Sequence, residues 1–172
     1  SQKINQINGM FAFAYIDLIR KKLILARDRV GKKPLFIFKN KNIVIFSSEI
    51  KSLLYLGKIQ PEIDRLSINQ YFSYNYVPAP RTIFKNIYKV MPANFIEFPI
   101  DNINENKTNC YWDLTSKIIN SKTNYNDEKL ETIIQNSISD RLYSDVPIGT
   151  FLSGGIDSSI VSGIASKQNK NI

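Results

Sequence analysis

The chain has 172 residues, of which 43% are hydrophobic and 22% charged, and its formal net charge is +8. This apolar content excludes a disordered chain, and the sequence holds no run of about 18 apolar residues that could span a membrane. The sequence contains no histidine, which excludes Ser-His-Asp and Cys-His catalysis and the usual zinc sites. Its basic residues are scattered and accompany no nucleic-acid-binding motif, so we expect neither a nucleic-acid nor a membrane partner.

The single cysteine, Cys110, cannot form an internal disulfide, which favours a reducing cytosol and a cytoplasmic location. We expect its side chain to be small, half-buried and without a chemical role. The polar opening segment lacks the sections of a signal peptide. The chain starts with Ser1 rather than Met, which is consistent with a cut end.

The first two thirds of the chain alternate strand-like runs with turns. Apolar and aromatic runs predict strands at 10–16, 22–28, 34–38, 42–48 and 94–98, and the third and fourth of these form a plausible hairpin. Because several runs are apolar at successive positions, we expect strands covered on both faces in a layered structure. Short helices are predicted at 49–56 and from Ser67, the candidate N-cap of the second helix, and residues 99–109 read as a polar loop.

The pattern changes after a polar stretch at 115–126, which we interpret as a linker. Residues 127–145 then place an apolar stripe on one face of a helix, with Asn126 as its N-cap. A short apolar strand at 146–152, a glycine loop at 153–159 and the opening of another helix follow. Helix, strand, loop and helix in this order are typical of the beginning of an α/β nucleotide-binding domain.

The glycine loop carries the chemistry that the sequence predicts. Gly154 and Gly155 allow a sharp turn and the close approach of a bulky anion, so that backbone N–H groups converge at a helix N-terminus. Hydroxyl donors for phosphate oxygens come from three serines of the loop: Ser153, Ser158 and Ser159. Asp157 would repel phosphate, so a magnesium ligand is the simplest interpretation of this carboxylate. The alternative is a purely structural segment, either a Ser/Gly-rich connector or an ordinary helix cap.

No lysine follows the glycines, so this is not the GxxxxGK[ST] loop of the ATPases. The segment resembles the SGGxDS pyrophosphate loop of the ATP pyrophosphatases, which cleave ATP between the α and β phosphates. Upstream, the segments at 8–17, 25–36, 45–54 and 76–90 closely resemble the later part of the class II glutamine amidotransferase domain of asparagine synthetases. The order of all segments also matches that family.

This resemblance implies an α+β fold, in which the C-terminal portion of a layered αββα Ntn-type amidotransferase is followed by the start of an α/β pyrophosphate-loop domain. The implied domains are 1–114 for the amidotransferase part, 115–126 for the linker and 127–172 for the synthetase part. The implied substrates are aspartate, glutamine and ATP, with Mg²⁺, in a parent protein that is a possible homodimer. The implied ATP-binding residues are Leu152, Ser153, Gly154, Gly155, Asp157, Ser158 and Ser159, with Asp157 as the metal ligand.

Some family features have no match in this sequence. The N-terminal cysteine nucleophile of the family and its glutamine-holding residues are not among the 172 residues, so we assign no catalytic residue and expect this chain alone to be inactive. Two alternatives stay open: another amide-forming homologue, such as a β-lactam synthetase or a peptide-modifying enzyme, and a non-catalytic anion-binding module.

Three further features contain residue types that often occur in functional sites, but we interpret them mainly as structural. We interpret Arg27, Asp28 and Arg29 as a strand-end turn held by ion pairs. Glu49 is interpreted as a helix cap or an interdomain contact. The aromatic run at 71–78 is interpreted as packing, with RNA binding as a weak alternative.

Overall fold

The computed structural model describes residues 2–119 and 126–169. The chain divides into two compact units, Ser1–Asn120 and Ser121–Ile172. Among the residues described, no helix has both the length and the apolar character needed to cross a membrane.

Seven strands form two antiparallel sheets in the first unit. The strands are β1 (Ala12–Asp17), β2 (Lys22–Arg27), β3 (Phe36–Lys39), β4 (Val44–Ser47), β5 (Ile87–Lys89), β6 (Asn94–Pro99) and β7 (Lys107–Cys110). One sheet has the order β1-β2-β6-β7 and the other the order β4-β3-β5. The predicted hairpin is confirmed, because β3 and β4 pair antiparallel with Phe36 opposite Ser47.

The two sheets pack face to face around an apolar core. Leu25 of β2 and Phe98 of β6 contact Leu35, Ile37 and Val90, and all five are buried. Successive side chains of a strand point to opposite faces of the sheet. The strand residues on either side of these core residues therefore point away from the core, towards the outer layers. On the outside of the first sheet, Ala26 and Phe95 pack with Ile4 of a 3-10 helix at Gln2–Gln6.

A helix covers the outside of the second sheet. Phe38 and Ile87 pack there against Leu53 of α1 (Ile50–Tyr55) and against Ile59. The order of helix, sheet, sheet and helix confirms the expected α+β fold with antiparallel sheets.

The coverage of the strands differs from the expectation for the edge strand β1. β2 is covered on both faces, since Leu25 and Ala26 are both fully buried. In β1, Tyr15 and Ile16 are more than half exposed. The expectation of two covered faces is wrong for β1, because β1 lies at the end of its sheet and pairs only with β2.

One helix of the first unit begins at a residue other than the one predicted. α2 (Arg65–Tyr74) has Asp64 as its N-cap, and the Asp64 carboxylate accepts a hydrogen bond from the Leu66 N–H. The prediction of Ser67 as the cap is wrong: Ser67 lies in the first turn, is fully buried and donates to Asp64 Oδ2 at 2.8 Å.

The predicted polar loop at 99–109 holds further regular structure. It contains a 3-10 helix at Ile103–Glu105 and most of β7, which pairs with β6. The sequence does not predict this edge strand, because its residues are polar and exposed and show no apolar alternation. Helix α3 (Leu114–Ile119) occupies the beginning of the proposed linker, and residues 120–125 lie outside the described part of the chain.

The second unit consists of two packed helices and the loop that precedes the second. The helices are α4 (Asp127–Ser139) and α5 (Ile156–Gln168). The Asn126 side chain accepts from the Lys129 N–H at 2.8 Å, which confirms the predicted cap of α4. Ile138 and Ala165 are the buried residues of the helices, and Ser139 Oγ donates to Gln168 Oε1 at 2.8 Å.

Candidate functional site

The glycine loop turns sharply immediately before α5. Gly154 has a φ of +82°, a conformation that costs little only for glycine, and a Cβ built on it would meet no atom within 4 Å. Gly155 is the N-cap of α5 and has no side chain to cap the helix. The sharp turn that the glycines predict is present at Gly154, and the helix begins at Ile156.

Several backbone donors of the loop meet no acceptor among the residues that the structure describes. Within the described residues, no hydrogen bond is donated by the backbone N–H groups of residues 154–158, and the first bond of the helix runs from Ser159 N to Gly155 O at 3.0 Å. The positive end of the helix dipole adds to these five donors. The exposed N-terminus of α5 therefore presents the donors that an anion requires.

The serine hydroxyls of the loop bond to each other and to a carbonyl rather than to these N–H groups. Ser158 Oγ donates to Gly155 O at 3.0 Å, and Ser153 Oγ lies 3.0 Å from Ser158 Oγ. In an ordinary capped helix, a hydroxyl near the N-terminus accepts from a backbone N–H of the first turn. This loop leaves the N–H groups unused, which argues against the interpretation as a simple helix cap.

Asp157 lies in the first turn of α5 with an exposed side chain. Across the described residues, it forms no ion pair and belongs to no group of three metal-ligating side chains. A cation held here would therefore take one carboxylate from this part of the chain and its other ligands from phosphate or water.

The remaining candidate residues border the same loop. Leu152 is 65% exposed, and Ser159 is also exposed.

The predicted strand at 146–152 is wrong, because residues 146–152 form neither helix nor strand. Since a strand exists only through pairing, and the described residues of this unit offer no neighbouring strand, the apolar run stays unpaired.

The turn after β2 is held by charged side chains, but not by ion pairs. The buried Asp28 carboxylate accepts from the backbone N–H groups of Val30, Lys32 and Lys33 at 3.2, 2.9 and 2.9 Å. Arg27 donates to the carbonyl groups of Gly31, Lys33 and Val90 at 2.7–2.8 Å. Our expectation of ion pairs is therefore wrong, since neither residue forms one among the residues described.

These contacts shift the pKa values of both groups. Burial alone would raise the pKa of the Asp28 carboxyl, but the N–H donors, with that of Lys33 first, outweigh burial and hold this pKa below its usual range. Burial lowers the pKa of the Arg27 guanidinium, and the nearby Asp28 charge opposes that change. Both groups stabilise the turn, which fits a structural role.

The other residues that the sequence singled out lie in the first unit. Glu49 is at the N-cap position of α1 without a side-chain cap bond, and its carboxylate lies 3.0 Å from Lys51 Nζ. Cys110 is exposed rather than half-buried, and its Sγ lies 3.1 Å from Trp112 O. In the aromatic run, the Tyr71 and Phe72 rings contact each other with centroids 5.9 Å apart, and both are more than half exposed.

Comparison with known proteins identifies the first unit. Residues 1–112 match the family model of the glutamine amidotransferase domain. The chain belongs to this glutamine amidotransferase family. In the second unit, residues 129–172 of this amidotransferase-family chain match the asparagine synthase family model, and this segment includes the glycine loop.

Similar curated proteins carry related names. "Asparagine synthetase [glutamine-hydrolyzing] 3" of Bacillus subtilis is 36% identical over 95% of this chain and 26% of its own length. "Putative asparagine synthetase [glutamine-hydrolyzing] 2" of Methanocaldococcus jannaschii is 34% identical over 94% of this chain and 32% of its own length. "Amidase chry2" of Gibberella zeae is also 34% identical, over 95% of this chain and 24% of its own length. The amidotransferase-family chain thus spans about a quarter to a third of these relatives.

Proposed function

We propose that this chain is part of a glutamine-hydrolysing asparagine synthetase. The proposed reaction converts aspartate, ATP, glutamine and water to asparagine, AMP, pyrophosphate and glutamate, through β-aspartyl-AMP. The amidotransferase domain supplies ammonia, and the synthetase domain activates the aspartate carboxylate. Support comes from the order of the two family matches. It also comes from relatives with related names in Bacillus subtilis and Methanocaldococcus jannaschii.

The observation that carries the proposal is the set of unpaired N–H groups at residues 154–158 beside a glycine with positive φ. A phosphate group accepts several hydrogen bonds at once, and such a concentration of donors at a helix N-terminus suits it. The open space at Gly154 allows the close approach of a bulky anion. In this proposal, residues 153–155, Ser158 and Ser159 hold the pyrophosphate part of ATP, and Leu152 lies beside the nucleotide.

The residues present also fit a magnesium ion bound together with ATP. Mg²⁺ is commonly held by one or two carboxylates and by substrate phosphates, and it keeps several waters. Asp157 supplies one exposed carboxylate next to the proposed phosphate position. When bound, the ion neutralises phosphate charge. Asp157 would hold it, and the N–H groups of the first helical turn would orient the phosphates.

A second candidate is another amide-forming enzyme of the same architecture. It is favoured by the similarity to "Amidase chry2" and to "Amidase chyE" of Penicillium rubens, the latter 33% identical over 95% of this chain. No described residue of this chain identifies the acceptor carboxylate. A non-catalytic anion-binding module is the third alternative, and it needs the same loop without turnover.

The products of the reaction separate these candidates. A longer protein that contains this chain is incubated with ATP, Mg²⁺, glutamine and aspartate, and the products are followed by ³¹P NMR and amino-acid analysis. We expect AMP, pyrophosphate and asparagine in equal amounts, and no asparagine when aspartate is replaced by glutamate. Formation of ADP and phosphate would contradict the cleavage of ATP between the α and β phosphates. AMP formation that does not depend on aspartate would favour another acceptor.

We further propose a cytoplasmic location and a homodimer for the longer protein. Light scattering coupled to size-exclusion chromatography tests the second point directly. A monomeric mass at micromolar concentration would contradict it.

A further inference from the structure

An open cavity of about 640 Å³ lies in the first unit, between the turn after β2 and the beginning of α3. Arg29 lines it on one side, and Trp112, Asp113 and Lys117 line it on the other. Its volume falls within the range of ligand pockets. Neither the glycine loop nor the proposed synthetase reaction uses these residues.

Arg29 is a positioned cation that pairs with no carboxylate in the described part of the chain. Its Nη2 donates to Asn5 O at 2.9 Å, and its guanidinium carbon lies 6.0 Å from the centroid of the Trp112 ring. Its Nε is buried and has no hydrogen-bond partner, and among the residues described Arg29 forms no ion pair. A half-buried guanidinium is stabilised by an anion, so a group with this fixed orientation and unused donors suits a carboxylate.

The charges of the lining restrict the anion. Among the described residues, the cavity is also lined by one further cation, Lys117, and one carboxylate, Asp113. The Asp113 carboxylate already accepts hydrogen bonds from the N–H groups of Thr115 and Ser116 at 3.4 and 2.8 Å. Because it stays negative and faces the same space, it opposes a doubly charged ligand. The rings of Tyr111 and Trp112 supply apolar surface for the rest of the molecule.

We propose that this cavity binds a small monocarboxylate with an apolar body. Arg29 holds the carboxylate, Trp112 contacts the apolar part, and Lys117 adds long-range attraction. The site is independent of the function proposed for the glycine loop, so failure of either proposal leaves the other intact.

The single tryptophan of the chain is a built-in probe, because Trp112 lies against Arg29. Butyrate is titrated into the 172-residue chain at constant ionic strength while tryptophan fluorescence is recorded, and inorganic phosphate is titrated in parallel. We expect a saturable change with butyrate and weaker binding of phosphate. No saturable change with butyrate, or tighter binding of phosphate, would overturn the proposal.

Arg29→Gln tests the role of the guanidinium, and Arg20→Gln is the matched control. Arg20 has the same charge, but its side chain is 78% exposed and pairs with Asp17. Loss of a charge-assisted contact should weaken butyrate binding about tenfold or more in Arg29→Gln, whereas Arg20→Gln should bind as the wild type does. Equal weakening in both variants would indicate attraction to net charge alone and would overturn the site.

Lys117→Gln keeps the test decisive if Arg29→Gln does not fold. Lys117 is exposed on α3, so its replacement should leave the fold intact. As a distant exposed charge, it should contribute about twofold to threefold in affinity. Unchanged butyrate binding in Lys117→Gln, with Arg29→Gln unfolded or unaffected, would contradict the proposal.

Discussion

The hydroxyl oxygens of Ser153 and Ser158 lie 3.0 Å apart across the two glycines of the loop, and Ser158 also donates to Gly155 O. A hydroxyl has one proton, so Ser158 gives its proton to the carbonyl and Ser153 donates to Ser158. The two serines thus hold the loop together while the backbone N–H groups stay unused. A phosphate could bind those N–H groups without any change, but each hydroxyl would have to leave a partner to reach it.

This relationship predicts a modest effect of Ser158→Ala on ATP binding. When phosphate binds, the Ser158 hydroxyl exchanges a partner within the loop for a phosphate oxygen. Its removal should therefore cost about 1 kcal/mol of binding free energy, or roughly a fivefold loss of affinity. Ser166→Ala is the matched control, since Ser166 Oγ donates to Gly163 O at 3.1 Å in the same helix. Calorimetric titration of ATP into the longer protein measures both variants. A loss of affinity of about a hundredfold or more would contradict the leading role given to the N–H groups.

Gly154→Ala should destabilise the loop through the backbone. At a φ of +82° an alanine costs about 1–2 kcal/mol relative to glycine, even though its Cβ has open space. Gly163→Ala is the control, because Gly163 lies within α5, also has open space, and should gain up to about 1 kcal/mol as a helix residue. Urea unfolding followed by helical circular dichroism compares them. The same free energy of unfolding for both variants would contradict the strained conformation.

The buried Asp28 predicts a loss of stability at acid pH. Since its folded-state pKa lies below the unfolded value, its contribution is complete above the unfolded pKa of about 3.9 and is lost as the pH falls through the folded value. Asp28→Asn should cost about 2 kcal/mol at pH 7, because the charged acceptor of three backbone N–H groups is removed.

The control for this prediction is Asp101→Asn, because the Asp101 side chain is 70% exposed and pairs with Lys21. Urea unfolding is measured for each variant at pH 7 and again at about pH 3, well below the unfolded pKa. The difference in free energy of unfolding between Asp28→Asn and the wild type should be smaller at the lower pH. A difference that stays constant with pH would mean that the charge of Asp28 does not stabilise the turn.

Amide hydrogen exchange should distinguish the two units. β2 and β6 lie inside a sheet with fully or almost fully buried side chains such as Leu25 and Phe98. In α4 and α5, the buried residues are Ile138 and Ala165. We therefore expect slower exchange in β2 and β6 than in the two helices, because local opening costs less where little apolar surface is buried. Equal protection in both units of a monomeric sample would contradict this account.

The sequence predicts best where a local residue pattern controls the structure. Asn126 caps α4 because its side chain needs only the N–H of Lys129. Gly154 adopts a positive φ because the turn before a helix needs a residue without Cβ. The β3–β4 hairpin follows from two apolar runs around a short polar turn.

Two of the failed predictions share a cause, because a strand forms only where a partner strand, distant in sequence, is present. β7 has four exposed residues, and only its pairing with β6 makes it a strand. Residues 146–152 have the composition of a strand but no neighbouring strand among the described residues. Asp28 is a local failure: its partners are three backbone N–H groups of the same turn, which a search for an oppositely charged side chain does not find.

The central claim is that the loop at 153–159 holds the pyrophosphate of ATP with a magnesium ion on Asp157. The exchange of labelled pyrophosphate into ATP, in the presence of aspartate and Mg²⁺, tests it most directly in a longer protein that contains this chain. Asp157→Ala should reduce exchange by on the order of a hundredfold, because the metal ion supplies several kcal/mol. The control Asp140→Ala, at the exposed C-cap of α4, should leave it within about twofold. Exchange at the wild-type rate in Asp157→Ala would contradict the account.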